Sequence, residues 1–190
     1  MIEPLLTSFG LVFLAELGDK SMLLAIAFAA RYRPLPVLSG IAIAAFTMLG
    51  LSTLLGAGIG AALPEDLVAI VGGLLFIVFG ILTLRDDDDD DDDEEEAGRP
   101  AGGSVLLGVT VAFLVAEFGD KTMLATLTLA SAQAAVPTWL GAGAGMTAAS
   151  GIAIAVATLV GSRLPEKALR LVAAGAFLVF GVLLLAQGLT

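Results

Sequence analysis

Glu16-Leu17-Gly18-Asp19-Lys20-Ser21 and Glu117-Phe118-Gly119-Asp120-Lys121-Thr122 are the two stretches on which the reading of this chain turns. Each sets two carboxylates, an ammonium group and a hydroxyl near the middle of an apolar run, Leu5–Ala30 for the first and Val105–Ser131 for the second. Runs of that length match the roughly 20 helical residues that cross a hydrocarbon core about 30 Å thick. An ionisable side chain at the centre of a bilayer costs at least about 2.5–3.5 kcal/mol, so it marks a functional site by default.

Outward from these stretches, four more apolar runs appear at Val37–Leu63, Leu67–Leu84, Thr138–Gly161 and Leu169–Leu189. They are separated by proline-bearing or charged breaks such as Arg31-Tyr32-Arg33-Pro34 and Arg163-Leu164-Pro165-Glu166-Lys167. With 58% apolar residues, 23 glycines and a mean hydropathy of +0.99, the chain is far more apolar than a soluble domain. Abundant glycine also suits helices that pack closely in lipid. Met1-Ile2-Glu3-Pro4 lacks the basic region of a signal peptide, so the first run is expected to be a retained helix.

A shift of 101 residues superimposes one half of the chain on the other without a gap. Glu16, Gly18, Asp19, Lys20, Met22 and Leu23 fall on Glu117, Gly119, Asp120, Lys121, Met123 and Leu124. Pro36 falls on Pro137, Gly40 on Gly141, Leu63-Pro64-Glu65 on Leu164-Pro165-Glu166, and Phe79-Gly80 on Phe180-Gly181. Apolar composition alone would match leucines and alanines, not prolines, glycines and charges in one register. The expected fold is therefore all-α and polytopic: six transmembrane helices as two three-helix repeats, residues 1–84 and 104–190, joined by a linker over 85–103. An odd number of spans per repeat requires the second repeat to insert upside down, the arrangement of many secondary transporters, whose substrate site lies near the midplane between the repeats.

The linker holds the run Asp86–Glu96, which supplies 11 of the 19 acidic residues and so most of the net charge of −10. Acidic and then rich in Gly, Ala and Pro, it cannot bury a core and is expected to be disordered. Arg31, Arg33, Arg85, Arg99, Arg163, Lys167 and Arg170 all fall on the side of the connections after the first, third and fifth spans. By the positive-inside rule that side is cytoplasmic, which places both termini outside. Glu65 and Glu166, each after a proline, are expected as N-terminal charges of their helices.

The chemistry of the two motifs is that of a hard cation site. Inverted symmetry brings them face to face, and Glu16, Asp19, Glu117 and Asp120 are the expected metal ligands. Glu and Asp three residues apart share one face of a continuous helix. Ser21 and Thr122 add hydroxyls, Lys20 and Lys121 act as counter-ions, and Gly18 and Gly119 let the helix loosen or a backbone approach. Calcium takes six to eight oxygen ligands and manganese favours carboxylate, carbonyl and water. With neither His nor Cys in the chain, a zinc or copper site is not expected, nor disulfides. Met22 and Met123 are expected as core packing. No His is present to carry protons, so any proton exchanged must travel on the carboxylates that bind the metal.

Two copies of Glu-x-Gly-Asp-Lys-Ser/Thr, in two three-helix halves joined by an acidic linker, resemble the GDT-type manganese/calcium cation–proton exchanger family of bacterial, chloroplast and Golgi membranes. The resemblance implies a secondary transporter rather than an enzyme, with Mn²⁺ or Ca²⁺ as transported substrates, protons as counter-ion and no resident cofactor. For a bacterial member it implies residence in the inner membrane and export from the cytoplasm. The expected partners are divalent cations, protons and the lipid bilayer, with no nucleic acid. The alternatives are an exporter of a small organic solute, against which the four central carboxylates argue for anionic or zwitterionic substrates, and a passive cation channel or membrane scaffold, marked by flux insensitive to a pH gradient or by no flux at all.

Overall fold

The structure, a computed structural model, describes residues 2–62, 64–85, 104–160 and 166–189. The expected linker beyond Arg85 lies outside these residues, as do the loop bases Arg99 and Arg163. Every described element is an α-helix. In chain order they are α1 (Ile2–Glu16), α2 (Lys20–Arg31), α3 (Pro34–Ala62), α4 (Glu65–Arg85), α5 (Val105–Glu117), α6 (Lys121–Ala132), α7 (Ala135–Val160) and α8 (Glu166–Leu189).

Six apolar runs thus become eight helices, because the first and fourth runs are each broken at the charged motif. The expectation that Glu16 and Asp19, or Glu117 and Asp120, share a face of one continuous helix is corrected here. Each glutamate ends one half-helix, and each aspartate lies in the break before the next. The cause is glycine. Gly18 and Gly119 sit at φ +81° and +82°, a left-handed conformation that an L side chain resists. Three of the described helices are long and apolar enough on their own to cross a membrane, at Pro34–Ile59, Asp66–Arg85 and Ala135–Val156. Val105–Glu117 and Ser21–Arg31 are shorter apolar helices.

The packing follows the internal repeat. Helix α7 lies along α1, where Gly141 rests on the Leu5 carbonyl and Ser8; a side chain there would collide with both. The equivalent contact, 101 residues displaced, joins α3 to α5: a Cβ on Gly40 would lie 2.9 Å from the Leu106 carbonyl and 3.0 Å from Val109. Thr110 reinforces it by donating to the Gly40 carbonyl at 3.1 Å. Helices α4 and α8 run antiparallel, since Gly188 meets Asp66 and Ile70, Gly73 meets Gly181 and Leu185, and Gly80 meets Leu178 and Ala174. At the centre of that pair the equivalent residues Phe76 and Phe177 stack on each other, with ring centroids 5.9 Å apart. Helices α3 and α7 also cross antiparallel, with Leu38 near Gly151, Phe46 near Gly143, and Trp139 near Gly50. The Trp139 indole N–H donates to the Phe46 carbonyl at 2.8 Å.

The outer surface is apolar. Leu6, Leu54, Leu107 and Val115 are each more than half exposed, as side chains that face lipid would be. Inside, Leu11, Phe76, Phe79, Leu129, Phe177 and Leu184 close one cluster, and Phe28, Val37, Ile41, Val109 and Phe113 close another.

The backbone reading gives a stability prediction. Nothing lies within 4 Å of a Cβ added at Gly119 or at Gly10, so only conformation distinguishes the two positions. Gly119→Ala should destabilise by about 1–2 kcal/mol, because its φ is positive. Gly10→Ala, inside α1, should be neutral or stabilising by up to about 1 kcal/mol. Thermal unfolding of the detergent-solubilised protein reads both, and equal effects would contradict the assigned break.

Candidate metal site

The two breaks face each other across the interior. Glu16 and Glu117, the last residues of α1 and α5, are each 1% exposed. Each is brought inward by the run of apolar helix before it. Leu11, Val12 and Ala15 bury the same side of α1, as Val109 and Phe113 do for α5. Carboxylate oxygens of Glu16, Glu117 and Asp120 lie within 4.8 Å of one another. This is closer than three anions would settle without a cation or protons among them. Asp19, the fourth expected ligand, falls outside that trio but near enough to Glu16 for their charges to interact.

Hydroxyls surround the carboxylates. Ser21, buried in the first turn of α2, donates to Glu16 Oε2 at 2.5 Å. Thr122, its equivalent on α6, is also buried and approaches Glu16 from the other half. Glu16 Oε1 and Asp120 Oδ2 are buried without a hydrogen-bond partner among the described residues. Such oxygens are costly to bury unless something positive meets them. Lys121 is half-buried at the start of α6. Lys20 begins α2, and its side chain lies outside the description.

The breaks are built alike. The Asp19 amide donates to the Glu16 carbonyl at 3.4 Å, and the Asp120 amide to the Glu117 carbonyl at 3.1 Å, so each break is spanned by one tight turn. Asp120 takes an extended conformation, φ −72° and ψ 171°, as it leads into α6. At each break the negative end of one half-helix and the positive end of the next meet beside the carboxylates, so free carbonyls of α1 and α5 are at hand for a cation. Broken helices of this kind, with carbonyl ends aimed at a central site, coordinate cations in transporters.

Two site residues have a role that sequence reasoning assigned only to packing. Met22 Sδ accepts from the Gly18 amide at 3.3 Å, and Met123 Sδ from the Gly119 amide at 3.4 Å. Both side chains are buried, so they do fill the core, and they also satisfy a backbone N–H left open by the left-handed glycine. The signal was present in the repeat: each methionine stands four residues after its glycine, in both halves.

Residues 4–91 and 105–190 match the family described as divalent cation/proton antiporter GDT1. The chain is 31% identical to a Vibrio cholerae protein named "Putative manganese exporter", over 96% of this chain and 90% of that protein. It is 32% identical to the chloroplastic protein PAM71 of Arabidopsis thaliana over 97% of this chain, but spans only 57% of that longer protein. It is 30% identical to the GDT1-like protein sll0615 of Synechocystis, over 90% of this chain and 91% of the relative. No solved structure matches it. The two matched segments cover both halves with their motifs and leave out residues 92–104, and on that basis the chain is a membrane transport protein of the divalent cation/proton antiporter GDT1 family.

Proposed function

We propose that this protein exchanges Mn²⁺ or Ca²⁺ for protons at a single site shared by its two halves. The observation that carries the reading is the meeting of Glu16, Glu117 and Asp120 within 4.8 Å, from two broken helices, in the interior of an apolar bundle. An all-oxygen set of carboxylates with hydroxyls nearby suits hard divalent cations. The absence of His and Cys from the sequence argues against softer metals. The name of the Vibrio relative supports manganese as a substrate.

In this reading Glu16, Glu117 and Asp120 are ligands, with Asp19 joining as a fourth oxygen donor. Ser21 and Thr122 contribute hydroxyls, while Lys20 and Lys121 balance charge when the metal has left. Metal and protons compete for the same oxygens, so the binding of one releases the other. That competition is the coupling. Exposing the site alternately to the two faces turns it into exchange, and a proton gradient directed inward then drives metal out of the cytoplasm.

The architecture proposed for this cycle is six membrane crossings in two inverted repeats. In it α1 with α2, and α5 with α6, each make one broken crossing. The antiparallel pairing of the equivalent helices α4 and α8 supports it, because a two-fold axis perpendicular to those helices relates one to the other. The stacking of Phe76 on its own equivalent Phe177 supports the same axis. The distribution of Lys and Arg supports termini outside and the Asp86–Glu96 run in the cytoplasm of a bacterial cell membrane.

Three outcomes are expected. In proteoliposomes with an imposed pH gradient, Glu16→Gln and Glu117→Gln should each abolish metal–proton exchange, whereas Asp88→Asn in the acidic run should leave it near the wild-type rate. Asp120→Asn should weaken Mn²⁺ binding by about tenfold or more, the scale of a lost charged ligand, and Asp19→Asn by less; equal losses would contradict the three-carboxylate core. A cysteine placed at position 90 should resist impermeant thiol reagents added outside intact cells, and strong labelling there would reverse the orientation.

A further inference from the structure

The two halves share a motif, yet the routes leading away from it are not alike. Several buried hydroxyls of this chain are satisfied by their own helix, whereas that of Thr122, beside the carboxylates, has no hydrogen-bond partner among the described residues. Thr53, Thr110, Thr128 and Thr138 each donate to the carbonyl four residues earlier, at 2.7–2.9 Å. Ser52 on α3 and Thr126 on α6 do not. Both are wholly buried, and neither hydroxyl has a hydrogen-bond partner among the described residues.

These two residues lie on facing surfaces. Helices α3 and α6 advance in the same direction, since Leu49 shares a cluster with Met123 while Gly56 lies against Leu127 and Ala130. Ser52 stands one turn before Gly56 on the same face of α3. Thr126 stands one turn before Ala130 on α6, and one turn after Thr122, which borders Glu16. Thr122, Thr126 and Ser52 therefore form a row that leaves the carboxylates along the α3–α6 interface, toward the face where both helices end. Thr83 on α4 also has an unpartnered buried hydroxyl, but it sits about three turns from the point where α4 meets α6 at Gly72 and Thr128.

The equivalent route on the other side, between α2 and α7, lacks both hydroxyls, although the buried Ser150 stands on α7 where α3 has Leu49. Ser52 corresponds to Ala153 and Thr126 to Ala25, both wholly buried. Repeat symmetry therefore does not account for the hydroxyls. The α3–α6 route alone has hydroxyls at these two positions, and neither bonds the backbone carbonyl that usually satisfies such a group.

We infer that Ser52 and Thr126 form a secondary oxygen-donor station for a partly dehydrated divalent cation, passed on its way between the carboxylate site and the face where α3 and α6 end. This rests on the exchange reading above and extends it to a route. Neutral hydroxyls suit that task. They replace lost hydration oxygens without holding the ion as carboxylates would, so the cation moves on. The station belongs to one route only, so the ion meets different groups on the two sides of the carboxylate site.

The test compares Mn²⁺ uptake into proteoliposomes by the wild-type chain, the Ser52→Ala/Thr126→Val double variant and Thr126→Ser. Mn²⁺ affinity of each in detergent is measured alongside by electron paramagnetic resonance. Thr126→Val keeps the volume and removes the hydroxyl, while Thr126→Ser keeps the hydroxyl. The double variant should raise the KM for Mn²⁺ uptake about tenfold, the scale of a lost contact to a charge. Its affinity in detergent should stay within about twofold of wild type, because the carboxylates are untouched, and Thr126→Ser should transport normally. A double variant with wild-type KM and rate, or one altered only in proton release, would overturn the station while leaving the exchange reading intact. So would a parallel fall in detergent affinity, or a Thr126→Ser variant as impaired as the double. Wild-type vesicles that take up no Mn²⁺ would overturn the exchange reading, and the station with it.

Discussion

Everything in this structure answers to the burial of acid in an apolar interior. Glu16 and Glu117 are almost wholly enclosed by a chain that is 58% apolar, where an isolated carboxylate would be very costly. The fold meets that cost with one construction used twice. A helix is stopped at glutamate, glycine turns the backbone, and the next helix opens with a lysine and a hydroxyl residue. The serine hydroxyl and the ends of two half-helices then stand where the charge is. What remains is a cluster of oxygens built to be completed by something positive. In the exchange we propose, a metal ion and protons are interchangeable answers to that need, and one site couples them.

Duplication supplies the second carboxylate set, and near-identical packing places it. Gly141 on Leu5 and Gly40 on Leu106 are the same contact made twice, and Phe76 against Phe177 is a residue meeting its own counterpart. Strict symmetry would give a site with no preferred side. The departures from it are therefore informative: Trp139 bonds across the α3–α7 crossing where its equivalent Leu38 can only pack, and hydroxyls stand at Ser52 and Thr126 where Ala153 and Ala25 stand opposite.

The chain disclosed much of this before any coordinates. The register of 101 residues exposed the repeat because prolines, glycines and charges cannot match by apolar composition alone. The carboxylates stood out because charge inside a hydrocarbon-length run is costly, and two copies in symmetric positions weigh against a merely structural ion pair. The breaks were harder to read, since a continuous apolar run looks the same whether one helix or two fill it, and Gly18 announces permission to turn rather than the turn itself. For the same reason the sequence could not separate Asp19 from Asp120. Their spacing is identical, and only the packing of the halves brings Asp120 in with both glutamates. Nor could it distinguish a methionine that merely packs from one whose sulfur meets a glycine amide.

The central claim is that both halves contribute to one cation site, and the number of ions bound per chain tests it most directly. Titration of the purified protein with Mn²⁺, followed by electron paramagnetic resonance, should reveal one tight ion per chain. That ion should be lost on replacing either Glu16 or Glu117 by Gln. Two tight ions per chain, with one surviving in each variant, would mean that each half binds metal for itself and would contradict the shared site.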